Sequence, residues 1–183
     1  EEEKTKITSA EKGTLMHMCV QKMDEKQAYN MKKIEEMILS WEAKEIITEL
    51  EANSINKQKL LDYTKSELWN ELKNAKEVHK EQPFYINIKA NSLYENLNKD
   101  TDEKILVQGV IDLYYIDKND DLILVDYKTD YVEYGNEYEL VEKYKEQLEL
   151  YRIALEQALN RKVDKMCIYS LYLNKSITIN DEK

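Results

Sequence analysis

A β-hairpin near the middle of the sequence constrains the fold of this chain more than any other feature. Two segments rich in Ile, Val, Leu and Tyr, residues 105–116 and 122–129, flank a polar run at residues 117–121. Branched and aromatic side chains favour strands, and Asp and Asn favour the turn between them. The sequence therefore predicts two antiparallel strands joined by a short turn.

The register of this hairpin follows from the position of its turn. A turn centred on Asn119 places Asp112 opposite Asp126, since both are equally far from the centre. Lys128 lies on the same side of the sheet, because side chains alternate along a strand. We expect this side to be in contact with solvent and the other side to be the core surface. The predicted core side carries Ile111, Leu113, Tyr115, Ile123, Val125 and Tyr127.

The opposed carboxylates of Asp112 and Asp126 need a compensating charge. Directly paired strand residues have Cβ atoms only about 4.5 to 5.5 Å apart, and like charges at that distance repel. Mg²⁺ compensates well, because it prefers carboxylate oxygen and retains waters and substrate phosphate oxygens. Lys128 cannot neutralise both acids, but it is placed to orient or deprotonate a water. These groups together are the parts of a site that hydrolyses phosphodiester bonds.

A simpler explanation of these residues is also open. Asp126 and Lys128 could form an ion pair on an exposed sheet, worth under about 1 kcal/mol. That explanation does not account for Asp112. Because Asp112 lies between Ile111 and Leu113, strand alternation turns its side chain away from the predicted core.

Length and composition favour one domain. The chain has 183 residues, and its three Gly and one Pro leave no room for a flexible linker. We expect a single domain over residues 1–183, mainly helical at 1–80 and with the sheet-and-helix catalytic core at 81–183. The first residue is Glu rather than Met, so we expect an excised fragment of a longer protein. No apolar stretch approaches the roughly 20 residues of a membrane span, so no membrane partner is expected.

The charge of the chain opposes a simple nucleic-acid-binding function. The formal net charge is −10, whereas a self-sufficient DNA binder normally carries a basic surface. The conflict is resolved if another domain or subunit delivers the DNA. Otherwise the acidic residues form an ordinary solvated surface.

The two cysteines are isolated thiols. Cys19 and Cys167 lack CxxC spacing, which favours buried, reduced side chains and a cytoplasmic location. Two thiols also cannot hold an iron-sulfur cluster, which usually takes four thiolates.

Apolar periodicity predicts helices before the hairpin, and a helix and two strands after it. The fold class is α/β or α+β, a small mixed central sheet flanked by helices with an N-terminal helical cap. The C-terminal helix is expected to cover the core face, and the strand after it to run parallel to a hairpin strand. The predicted elements are helices after the capping box 8–11, at 31–50, at 57–76 and at 141–158, and strands at 83–90, 165–173 and 176–179.

Four motifs in order resemble the RecB-type branch of the PD-(D/E)XK nucleases, over nearly the whole chain. The motifs are Gly13-x-x-x-His17, Gly109-Val110-Ile111-Asp112, Asp126-Tyr127-Lys128 and Gln147-x-x-x-Tyr151. Within that branch the chain is most similar to the C-terminal nuclease domains of the A subunits of AddAB (RexAB) helicase-nucleases. The B subunits carry a four-cysteine iron-sulfur cluster, so the missing cysteines favour an A subunit. The resemblance implies a restriction-endonuclease-like fold.

The resemblance also implies a role for each motif residue. Asp112 and Asp126 would bind Mg²⁺, for which Mn²⁺ would substitute. His17 and the backbone carbonyl of Tyr127 would be further ligands. Lys128 would position the attacking water and stabilise charge at the scissile phosphate.

Two further motif residues and one acid are implied with less definite roles. Gln147 and Tyr151 would support the site or touch the DNA strand, and Glu81 resembles an acidic position before the family's first strand. Packing explanations stay open for three residues. His17 lies beside an apolar stripe, Gly13 would permit close helix packing, and Tyr151 lies on the core stripe of its helix.

The sequence and the resemblance together suggest a Mg²⁺-dependent DNA exonuclease domain. It would cut single strands fed by an ATP-dependent helicase in double-strand break repair and recombination. The chain lacks a Gly-x-x-x-x-Gly-Lys-Ser/Thr loop, so ATP hydrolysis would belong to the helicase part of the same polypeptide, working with an AddB-type partner subunit. The alternatives are a catalytically inactive nuclease-like scaffold and an acidic protein-interaction module.

Overall fold

The computed structural model describes residues 6–89 and 104–179. They form one five-stranded sheet in chain order with helices on both faces, and only β3 and β4 run parallel. This confirms the predicted α/β class and the parallel return of the strand after the long helix. The elements are α1 (Ser9–Lys22), α2 (Met31–Ala43), α3 (Glu49–Ser54), α4 (Lys57–Tyr63), α5 (Glu67–Asn74), β1 (Glu77–Lys89), β2 (Lys104–Ile116), β3 (Leu122–Lys128), α6 (Tyr138–Leu159), β4 (Lys165–Ser170) and β5 (Lys175–Ile179).

Side-chain caps decide where the N-terminal helices begin. The predicted capping box of α1 is present, with the Thr8 side chain and Glu11 each accepting a bond from the other's backbone N–H. The predictions of single helices over 31–50 and 57–76 are wrong, because the first stretch contains α2 and the start of α3, and the second contains α4 and α5. Thr48 caps α3, and Ser66 caps α5 by accepting from Trp69 N–H. Such side chains give the backbone N–H groups a non-helical partner and so start a new helix.

The first strand is longer than its sequence pattern predicted. β1 begins at Glu77 instead of residue 83, so the helical part of the chain ends earlier than residue 80. Its polar first half hid the alternation, because β1 is an edge strand with a partner only on one side. The last residue of the predicted strand, Ala90, lies outside the described residues.

The hairpin has the predicted register. Leu113 pairs with Val125 and Ile116 with Leu122, so the turn is centred on Asn119. The pairing ends at Leu113 and Val125, immediately before the two carboxylates would face each other.

Both faces of the sheet are buried at β3, β4 and the second half of β2, which contradicts the expectation of one solvated side around the carboxylates. The N-terminal helices cover the face that carries Leu113 and Val125. The long helix α6 covers the opposite face, which carries Leu122 and Leu124, so the prediction that α6 covers the first face is also wrong. A parallel strand pair joined through a helix is normally covered on both sides, and the apolar residues of β3 suit this arrangement.

Asp112 lies where the strand alternation changes phase. Leu113 packs towards the N-terminal helices, whereas Ile111 packs towards α6, so the two neighbours do not share a face as predicted. On β1 the regular pairing omits Glu81, which has a left-handed backbone with φ of 52°. An interruption of this kind bends the strands and redirects a side chain. Asp112 is therefore placed at the break in the ladder.

No helix among the described residues is long and apolar enough to cross a membrane. Cys19 and Cys167 are free thiols and both are buried, as predicted.

Candidate active site

Close contact between α1 and the end of β3 sets the position of the first motif. A Cβ atom on Gly13 would lie 2.6 Å from Thr129 Oγ1, so only glycine permits this approach without a shift. His17 lies one turn further along the same face of α1. The packing role that the sequence left open for Gly13 is therefore present, and it brings His17 to the sheet.

His17 and Asp112 form the first half of the site. His17 Nε2 lies 2.8 Å from Asp112 Oδ2, and the same oxygen accepts the backbone N–H of Tyr127 at 2.9 Å. The carboxylate thus replaces the backbone acceptor that Tyr127 loses where the ladder ends. Burial lowers the pKa of His17, but the hydrogen bond and charge of Asp112 outweigh it and leave that pKa raised.

Asp126 forms the second half and is almost completely buried, at 1% exposure. Lys128 Nζ lies 2.6 Å from Asp126 Oδ2 and forms an ion pair with it. No described residue donates a hydrogen bond to this oxygen. Burial raises the pKa of Asp126 to about 6, opposed by the charge of Lys128 and reinforced by that of Asp112.

The residues of the Gln-x-x-x-Tyr motif connect Lys128 to β1. Lys128 Nζ donates to Gln147 Oε1 at 3.2 Å, and Gln147 Nε2 donates to the Tyr151 hydroxyl at 2.7 Å. The Tyr151 ring in turn packs against Phe84 of β1, with ring centroids 5.5 Å apart. Gln147 and Tyr151 therefore orient Lys128 in this structure.

Six of the predicted site residues line one shallow, open cleft. These lining residues are His17, Asp112, Asp126, Tyr127, Lys128 and Gln147. Tyr151 does not line it and acts through Gln147. Glu81 is exposed and is not among the lining residues.

A sequence model of the PD-(D/E)XK nuclease superfamily matches residues 1–182. The chain belongs to this nuclease superfamily. The A subunit of the ATP-dependent helicase/nuclease of Alkaliphilus oremlandii is 38% identical over 97% of this chain. The proteins of the same name from a Thermoanaerobacter species and Clostridium perfringens are 38% and 35% identical over 96% and 100%. The chain spans only 14% to 15% of these relatives' lengths. The family resemblance and the restriction-endonuclease-like fold are thereby confirmed.

Nucleases of this superfamily generally use divalent metal ions, and the residues present fit one. Among the side chains that the structure describes, no three His, Cys, Asp or Glu are arranged as a ready metal site. His17 and Lys128 contact the two carboxylates directly. Yet one ammonium cannot neutralise both acids, and Asp126 Oδ2 is a buried oxygen without a hydrogen bond. A hard cation would satisfy both deficits.

Tyr144 is a site residue that the sequence reasoning missed. The centroid of the Tyr144 ring lies 4.2 Å from Lys128 Nζ. The Tyr144 hydroxyl donates to both carboxylate oxygens of Asp130 at 3.0 Å. Lys143 also donates to Asp130. The sequence does contain a signal for Tyr144. Tyr144 precedes Gln147 by three residues, so both side chains lie on the same side of α6. The two residues hold Lys128 between them.

The contact between Gly13 and Thr129 predicts that the effect of a Gly13 substitution on stability depends on the residue at position 129. Gly13→Ala in the Thr129→Ala background is expected to raise the free energy of unfolding by about 0.5 to 1 kcal/mol, since alanine favours helix. The nearest remaining atom, the Cβ at position 129, would be 3.6 Å away, an ordinary contact. In the wild-type background the same change meets Thr129 Oγ1 and should give no such gain. Urea denaturation of the four proteins measures both differences, and equal gains in the two backgrounds would contradict the contact.

Proposed function

We propose that this chain is a Mg²⁺-dependent deoxyribonuclease domain that hydrolyses phosphodiester bonds. The observation that carries the proposal is the buried, unsatisfied oxygen of Asp126 beside Asp112, His17 and Lys128. A buried carboxylate in this state is costly for folding and useful as a ligand. Stability alone gives no reason to place a second acid beside it.

The ligand set favours Mg²⁺ with Mn²⁺ as a substitute. Asp112 and Asp126 would supply carboxylate oxygens, and the Tyr127 carbonyl another oxygen, which suits a hard cation. His17 Nε2 would add a nitrogen, replacing its present hydrogen bond to Asp112. When bound, the cation supplies Lewis-acid stabilisation of the scissile phosphate and makes a nearby water more acidic.

Lys128 would act on the water and on the phosphate. Its ammonium is held between the amide of Gln147 and the ring of Tyr144, so few orientations are open to it. In hydrolysis a water oxygen bonds to phosphorus as the bond to the leaving sugar oxygen breaks. A fixed ammonium can orient that water and stabilise the negative charge that develops.

The relatives suggest the setting in which this chemistry takes place. The A subunits of ATP-dependent helicase/nucleases match this chain over a small part of their own length. We infer that the helicase part of the same polypeptide feeds single strands to an exonuclease site here, with an AddB-type partner subunit, in double-strand break repair and recombination. Delivery by a helicase also accounts for a net charge of −10 on a DNA enzyme. The buried free thiols fit a cytoplasmic location.

Digestion of a labelled single-stranded oligonucleotide tests the proposal. Cleavage is expected with Mg²⁺ or Mn²⁺ and not with EDTA, and Asp112→Asn should reduce its rate at least about 100-fold. The matched control is Asp121→Asn, an exposed acid of the same hairpin outside the cleft, which should leave the rate unchanged.

Calorimetric titration with Mn²⁺ separates the nuclease from the two alternatives. Binding heat that is lost in Asp112→Asn but kept in Asp121→Asn supports the proposed site. A wild-type chain that neither binds the ion nor cuts DNA would contradict it and would favour a scaffold or an interaction module.

A further inference from the structure

A second groove adjoins the candidate active site across the contact between α1 and β3. The two depressions share Gly13 and Thr129 in their linings. From there the second groove continues over Lys12, Lys59 and Tyr172. The two depressions are therefore neighbours on either side of this contact.

The groove carries positive charge on an acidic protein. The chain has 37 Asp and Glu against 27 Lys and Arg, yet Lys12 and Lys59 line this groove and no described acidic residue does. Neither lysine forms an ion pair with a described residue. By contrast, Glu67, Glu71 and Asp117 line the groove beside α5 and the hairpin turn. Positive charge is thus concentrated next to the proposed catalytic residues.

An exposed pair of aromatic rings lies at the edge of the groove, where Tyr172 lines it and Tyr131 contacts Tyr172. Tyr131 is 68% exposed and Tyr172 is 42% exposed, and their ring centroids are 4.8 Å apart in an edge-to-face contact. Lys59 Nζ lies 4.5 Å from the centroid of the Tyr172 ring. Tyr131 is therefore supported by a neighbour although most of its surface faces solvent. It also follows Lys128 by three residues, so the two Cα atoms are at most about 11 Å apart.

We propose that this groove binds the single DNA strand next to the cleavage site, with an unpaired base stacked on Tyr131 and phosphates contacted by Lys59 and Lys12. Exposed aromatic rings combined with lysines are the usual chemistry of binding to single strands without sequence preference. Base stacking requires an unpaired base face, so the surface selects single strands over duplex. This inference rests on the proposed nuclease function and adds the path of the single strand and the residues that hold it.

Fluorescence anisotropy with a labelled oligothymidine in EDTA tests the proposal without cleavage. Tyr131→Ala should weaken binding at least about fivefold, and Tyr131→Phe should keep it, because stacking requires only the ring. The matched control is Tyr85→Ala, a tyrosine on β1 that is 69% exposed and, unlike Tyr131, has no ring contact with Tyr172 of the groove. It should leave the affinity unchanged.

An abasic strand of the same length separates stacking from phosphate contact. Wild type and Tyr131→Ala should bind the abasic strand equally. Lys59→Gln should weaken binding of both strands and lower the salt slope by about 0.7, whereas Lys118→Gln, beside the acidic groove, should not. Equal affinity of wild type and Tyr131→Ala for oligothymidine, an equal loss in Tyr85→Ala, or no binding by wild type would overturn the proposal.

The two proposals fail in different experiments. If the wild-type chain cuts DNA with metal but Tyr131→Ala binds DNA as tightly as wild type, the groove proposal is rejected and the nuclease proposal stands. Binding that depends on Tyr131 in a chain that never cuts DNA would reject the nuclease, and with it the groove's role in cleavage.

Discussion

Asp126→Asn is expected to abolish DNA cleavage and to stabilise the fold at neutral pH in the absence of metal. Activity should fall at least about 1,000-fold, because the variant loses both a ligand and part of the electrostatic site. Stability should rise because the ionised Asp126 side chain is buried at 1% exposure and its Oδ2 accepts no hydrogen bond from a described residue. Asparagine keeps the shape and removes the charge.

The sign of the stability change in Asp126→Asn follows from the pKa of Asp126. The pKa of Asp126 is raised from 3.8 to about 6 in the folded protein, so the folded state holds its proton more tightly than the unfolded state does. The resulting stabilisation is present below about pH 4 and is lost as the pH rises through about 6. At pH 7 the difference corresponds to about 1 to 3 kcal/mol, which Asp126→Asn should recover.

Urea denaturation in EDTA at pH 4.5 and pH 7.5 measures this difference. Wild type should lose stability between the two values relative to Asp126→Asn, and Asp121→Asn should follow wild type because that acid is exposed. A variant that loses activity and is also less stable at pH 7.5 would indicate a structural carboxylate instead of a ligand.

Lys128→Met is also expected to abolish cleavage, but unlike Asp126→Asn it should lower the stability of the fold. The lysine is the cation nearest to Asp126, at 2.6 Å, and its side chain is only 14% exposed. Its removal leaves the two carboxylates without that charge and raises the pKa of Asp126 further. The loss should be about 1 to 3 kcal/mol at pH 7.5 and should shrink at low pH, where Asp126 takes up a proton.

A double-mutant cycle checks the origin of this loss. If it arises from the unpaired carboxylate, Lys128→Met should cost little in the Asp126→Asn background. An equal cost in both backgrounds would show that the lysine acts through its packing against Tyr144. Retained cleavage in Lys128→Met would remove the lysine from the proposed mechanism.

The local parts of the site could be predicted from the sequence. The centre of the turn was enough to give the register that brings Asp112 towards Asp126, whereas His17 and Gln147 were indicated by the resemblance to the nuclease family. The register is a local signal, because it depends only on the position of the turn and the period of a strand.

Features that depend on the tertiary structure could not be predicted in the same way. Leu122 and Leu124 are as apolar as Ile123 and Val125, so β3 does not reveal which face α6 covers. The phase change at Asp112 coincides with the left-handed backbone of Glu81, a conformation that a glutamate in the sequence does not signal. Asp112 and Asp126 were expected on a solvated surface, but both are buried.

The helix breaks are a different case. Thr48 and Glu51 have the spacing of a capping box, so the start of α3 was readable from the sequence although the stretch was predicted as one helix.

Anomalous diffraction from crystals soaked in Mn²⁺ tests most directly whether Asp112 and Asp126 hold a divalent cation together. We expect an anomalous peak in contact with one carboxylate oxygen of each residue, with Asp126 Oδ2 among the ligands. The absence of a peak between them, at a Mn²⁺ concentration that supports cleavage in solution, would contradict the proposed metal site.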